Sequence, residues 1–106
     1  MDFKEAQKKS NAVNRKFMLA RKMEWKPEVM LTDMAEEVGE LANAILVDRG
    51  FKSKNRKRAE IIDSLCDIMF DIFMIADFYG VDLGREYGRV LKIMAERIDS
   101  GEFSDS

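Results

Sequence analysis

Apolar positions recur along this chain at helical spacing, not in the alternation of a strand. Ala6, Val13, Phe17 and Ala20 share one stripe and predict a first helix from about Phe3 to Met23. Trp25-Lys26-Pro27 breaks it, because proline disfavours helix in the residue before it. Pro27 suits the first position of a second helix, running to about Val47. Asp48-Arg49-Gly50 closes that helix, with Gly50 as its C-terminal cap. Residues 51–56 read as a basic loop. A third helix follows from about Arg58 to Tyr79 and ends at Gly80. A fourth runs from about Asp82 to Asp99, and residues 100–106 read as a flexible tail. The pattern predicts a single all-α domain over 1–106, with residues 1–24 as an N-terminal helical segment. Helices of this length joined by short connections imply an antiparallel four-helix bundle-like protomer.

Composition narrows the chemistry. The chain has 106 residues, enough for one core. One proline and six glycines argue against a sandwich or barrel, which needs many turn residues. There is no histidine, which excludes Ser-His-Asp and Cys-His catalysis and any histidine-ligated zinc. A single cysteine excludes an internal disulfide and a thiolate metal cluster. What remains are carboxylates, lysine, arginine, hydroxyls, or a metal held by oxygen.

The net charge of −2 hides a strong segregation. Residues 1–26 carry eight Lys/Arg and three Asp/Glu, whereas residues 27–48 carry six acids and no base. Residues 49–58 carry six bases and no acid, and residues 59–106 carry eleven acids and four bases. A binder of nucleic-acid polymer would be basic throughout its contact face, so none is expected as a partner. Alternating blocks suit a metal held by acids beside a polyanion gripped by bases; a solvated charged surface is the plainer alternative. The start of the chain lacks a signal-peptide pattern, and the apolar stretch from Ile68 to Tyr79 is broken by Asp71 and Asp77. That stretch is too short and too charged to span a bilayer, so a cytoplasmic protein without a membrane partner is expected.

The acids fall in stripes. On the second helix Asp33, Glu36, Glu37 and Glu40 share one arc of roughly 100°, opposite Leu31, Met34, Val38, Leu41 and Ile45. Glu36 and Glu40 stack four apart, which costs a few tenths of a kcal/mol on a bare helix and which a cation reverses. On the third helix Glu60, Asp67 and Asp71 lie within about 40° of one another, flanked by Asp63 and Ser64. The rest of that helix is apolar, which predicts burial all round. Ionised carboxylates on a buried helix are very costly without a cation or base. Two such stripes facing each other make an oxygen-only site, which favours Mg²⁺ or Mn²⁺. Lys52, Lys54, Arg56, Lys57 and Arg58 are placed to contact phosphate, and Trp25 to stack on a base or fill a core.

Glu36-Glu37-Val38-Gly39-Glu40-Leu41, followed by an acid-bearing helix closing on Gly80-Val81-Asp82, resembles the MazG-like all-α nucleoside triphosphate pyrophosphatases over about residues 25–100. The resemblance implies a Mg²⁺ site built from an EExxE motif and an ExxD motif. It also implies cleavage of nucleoside triphosphates to monophosphate and pyrophosphate, and a homodimer or homotetramer. Glu37 and Glu40 match the metal-binding acids of the first motif, and Glu36 the acid before them, able to orient or deprotonate water. Counting back from Gly80, Asp67 matches the Asp of ExxD, and the Glu of that motif falls on Ser64. Glu60, Asp63 and Asp71 lie on or beside the same stripe and are placed to compensate. Asn43, Arg89, Lys92 and Arg97 join Trp25 and Lys57 as candidate substrate contacts. Ser64 also leaves open an inactive nucleotide- and metal-binding relative. A purely structural oligomer, its acidic seam paired with a partner's bases, is the third alternative.

Overall fold

The computed structural model describes residues 1–52 and 59–104. Four helices occur among them: α1 (Phe3–Arg21), α2 (Pro27–Asp48), α3 (Ala59–Phe78) and α4 (Leu83–Asp99). Each end has a local cause. Asp2 caps α1, its carboxylate accepting from the Glu5 amide at 2.8 Å. The helix stops before the expected Met23 because Lys22 turns left-handed, at φ 52°. Pro27 opens α2, where its missing N–H costs nothing. Gly80 adopts φ 65° after α3, and the Val81 amide donates back to the Ala76 carbonyl. Asp82 then caps α4 by accepting from the Arg85 amide.

The chief packing is α2 against α3. Asp33 meets Asp71, and Glu37 lies in the field of Asp67. Those two pairs fix an antiparallel register, which sets Met30 opposite Met74; both are buried. The remaining buried apolar side chains are Ala44, Phe73 and Ala76. α1 lies on α3, with the Phe3 ring edge-on to Phe73 at 5.4 Å and Arg15 paired with Asp77 at 3.5 Å. The Gln7 amide holds the α3–α4 turn, donating to the Val81 carbonyl at 2.8 Å and accepting from the Leu83 amide at 3.1 Å.

The fold is all-α and bundle-like, but opened at α4. Every residue from Tyr87 to Ser104 is exposed. The radius of gyration is 17.4 Å, against about 13 Å for a compact chain of this length. The expectation that α3 is wrapped on all sides is therefore corrected: Ile62, Leu65, Met69 and Ile72 are 40–54% exposed. Burying them requires a helix that α4, projecting away, does not supply. Among the described residues no helix is long and apolar enough to cross a membrane.

Candidate functional site: an acidic seam between two helices

The buried side of α2 carries Met30 and Ala44 together with Asp33 and Glu37, so only part of the acidic arc turns inward. Leu31, Val38 and Ile45, on the opposite arc, are exposed. Asp33 and Glu37 are half-buried, while Glu36 and Glu40 are exposed. From α3, Asp71 enters the same seam at 2% exposure, with Ser64 buried two turns earlier and Asp67 at the exposed edge. Helical spacing explains the assembly: residues three or four apart share a face, so Asp33, Glu37 and Glu40 form one row and Ser64, Asp67 and Asp71 the facing row.

Burial raises the Asp71 carboxyl to about 7, aided by its hydrogen bond with Asp33 and by the charges of Asp33, Glu37 and Asp67. Once protonated, its O–H donates to the Asp33 carboxylate. Burial also raises Glu37, with the charges of Glu40, Asp67 and Asp33 adding to it and a hydrogen bond to Glu40 completing the set. Asp71 Oδ2 and Glu37 Oε2 are buried, and no N–H or hydroxyl donates to them among the described residues; the hydrogen bonds of these two side chains are to the carboxyls of Asp33 and Glu40. No Lys or Arg forms an ion pair with Asp33, Glu37, Glu40, Asp67 or Asp71 among those residues. The seam thus concentrates five carboxyl groups and relieves their repulsion by proton sharing.

Two features suit a hard cation and one does not yet. The donors are all oxygen, which suits Mg²⁺ or Mn²⁺. Asp71 and Glu37 carry buried oxygens that meet only other carboxyls. Yet among the described residues no three acidic or cysteine side chains converge as a ready-made metal cluster. Carboxylates without a counter-charge repel, so closing them on an ion requires side-chain rotation.

The remaining candidates lie elsewhere. Glu60 is half-buried in the first turn of α3, level with Ala44 in the register above and away from the Asp33–Asp71 pair. Asn43 accepts a hydrogen bond from the Lys52 ammonium at 2.9 Å, at the basic end of α2. Lys57 falls outside the described residues, as do Lys54, Arg56 and Arg58. Trp25 packs edge-on against Phe17 at 5.5 Å, and its buried Nε1 has no partner among the described residues. On α4, Arg89 pairs with Glu86 at 2.8 Å and Lys92 is exposed. Arg97 is held by a two-bond fork to Glu102, at 2.7 and 2.8 Å, beneath the Phe103 ring. The fork keeps Arg97 firmly protonated and lowers Glu102. Residues 101–103, expected as tail, thus turn back onto α4.

The structure adds Asp33, on the acidic arc but outside the expected ligand set. The usable signal was its spacing of four and seven from Glu37 and Glu40. No family model, curated protein or solved structure matches the chain.

Proposed function

We propose that the α2–α3 seam is the catalytic face of a Mg²⁺-dependent nucleoside triphosphate pyrophosphohydrolase of the MazG-like kind, acting as a homo-oligomer. The observation that supports this best is a cluster of five carboxyl groups from two helices, lacking basic partners among the described residues. Such a cluster is costly in a structure with no further role. A bound divalent cation supplies charge neutralisation on phosphate oxygens and an activated water. The chain's own residues do the rest. Glu37 and Asp67, close enough for their charges to interact, would hold the ion with their neighbours. Glu36, exposed one residue before Glu37, orients water and accepts its proton. Lys52, beside Asn43, neutralises phosphate at the open end of α2. Arg97 joins it only after its Glu102 fork opens.

Ser64 favours a second reading, nucleotide binding without turnover. Its buried hydroxyl stands where the resemblance puts a glutamate, so one anionic ligand is missing there.

Product analysis separates the two. The protein is incubated with Mg²⁺ and a panel of ribo- and deoxyribonucleoside triphosphates, with and without chelator, and the products are resolved by ion exchange. Monophosphate and pyrophosphate appearing only with metal is the expected result. Glu37→Gln should lower the rate at least about 100-fold while the helical circular dichroism is retained. Diphosphate and orthophosphate would contradict α–β cleavage. Thermal stabilisation by nucleotide plus Mg²⁺ without turnover would establish the second reading.

A further inference from the structure

The base of α4 is held by the first turns of α1. Among the described residues α1 touches both α3 and α4, whereas α3 and α4 scarcely meet beyond their turn. Asp2 caps α1 and so fixes the turn that carries Phe3. The Phe3 ring contacts both later helices, its centroid 5.4 Å from that of Phe73 on α3 and 6.4 Å from that of Tyr87 on α4. Gly84 makes room for it: a Cβ there would lie 3.2 Å from Phe3 Cδ1. One turn further along α1, Gln7 bonds the Val81 carbonyl and the Leu83 amide, on either side of Asp82. Phe3 is a wedge, and Gln7 a clamp, at the angle between α3 and α4.

The faces kept apart by that angle match each other. Taken antiparallel about the Gly80–Asp82 turn, Ile72 falls level with Val90, Met69 with Met94 and Leu65 with Ile98. All six are 40–58% exposed. Ile72 and Val90 already line one groove together with Phe3. Removing both stripes from water favours closure; the wedge and the clamp oppose it. We propose that the first turns of α1 are a latch: Phe3 and Gln7 hold α4 away from α3, and their release lets α4 turn about Gly80–Asp82 and close onto the Leu65–Met69–Ile72 stripe. The closed form covers with its own helix the apolar faces that the open form leaves for another chain. The latch therefore governs self-association, independently of the chemistry of the acidic seam.

Double electron–electron resonance reads the angle. Spin labels go on exposed positions, Asp63→Cys on α3 and Asp99→Cys on α4, in a Cys66→Ser background. Dilution in unlabelled wild type leaves only pairs within one chain. α4 has 17 residues, so its far end stands about 25 Å from the turn. The otherwise wild-type chain should give one long distance. Phe3→Ala with Gln7→Leu should add a population shorter by at least about 10 Å, and light scattering should show less association at equal concentration. Adding Leu65→Glu should remove that population, because it sets an acid in the closing face at a position exposed in the open form. An unchanged distribution in the double variant, or a short population that survives Leu65→Glu, would overturn the proposal. Gln7→Glu alone keeps the side chain's length but sets an acceptor against the Val81 carbonyl, and should show the same short population in smaller amount. It decides the matter if the double variant loses its helical circular dichroism; a wild-type distribution there would overturn the latch.

Discussion

Asp71 is buried at 2% exposure among other carboxyl groups. It carries a carboxyl raised to about 7, from an unfolded value near 3.8, chiefly because burial disfavours its charge. The sign of the consequence follows directly. A folded form that holds its proton more tightly is favoured where the group is protonated, so this stability is fully present below about pH 4. It is lost as pH rises through about 7. Glu37, raised for the same reason, acts in the same direction. In chelator, melting temperature should therefore fall between pH 4 and pH 8, and Asp71→Asn should flatten the fall. At pH 8 that variant should melt higher than wild type by on the order of 5 °C, equivalent to about 1 kcal/mol. A wild-type melting curve independent of pH over that window would show that the pair is solvated. The acids of this seam were legible in the sequence because helical spacing alone puts them on facing stripes. Their pairing was not: that Asp33 meets Asp71 depends on the register between two helices, which no local pattern encodes.

Helix ends show the same division between local and non-local causes. Gly50, Gly80 and Gly101 all take left-handed backbone, at φ 82°, 65° and 81°, and each stands where the sequence placed a stop. Lys22 takes the same conformation at φ 52° without being glycine, so α1 ends ahead of the Trp25-Lys26-Pro27 break that the sequence marks. Paired substitutions follow from this contrast. A Cβ at Gly80 would meet nothing within 4 Å, so Gly80→Ala carries only the backbone cost and should destabilise by about 1 kcal/mol. Lys22→Gly removes that cost and should stabilise by about 0.5 kcal/mol, net of the looser unfolded chain. Urea denaturation of the two variants reads both signs. The Gln7 clamp on the α3–α4 turn was invisible in sequence for a different reason. It joins residues more than seventy positions apart, and a lone glutamine on a helix carries no signal. Replacing it by leucine leaves the Val81 carbonyl and the Leu83 amide unmet, which should cost about 1–3 kcal/mol.

At the scale of the whole molecule the difficulty is α4. Its 17 residues form an amphipathic helix whose apolar members Tyr87, Val90, Leu91, Met94 and Ile98 are 42–58% exposed. A helix of about this length is marginal in water unless its apolar face is covered. The facing side of α3 is equally bare, and between them runs an apolar groove of about 450 Å³ lined by Phe3, Leu65, Met69, Ile72, Tyr87 and Val90. The occupant we propose for this surface is a second copy of the chain. Laid antiparallel on its counterpart, α4 would bring Arg89 of one chain, paired with Glu86 in the single chain, level with Glu96 of the other. Self-association was expected from the abundance of Met, Phe and Ile; α4 and the bare side of α3 are the apolar surfaces available for it. Light scattering should give a dimer or a higher even-numbered assembly at micromolar concentration. Leu91→Glu with Met94→Glu should convert it to monomer, with a loss of helical circular dichroism because α4 then has no cover. The acidic seam lies on the α2–α3 contact, so Mn²⁺ affinity in that monomer should stay within about threefold of wild type if α2 and α3 form the site unaided. A monomeric wild-type protein with full helicity would mean that α4 folds onto α3, closing the groove from within.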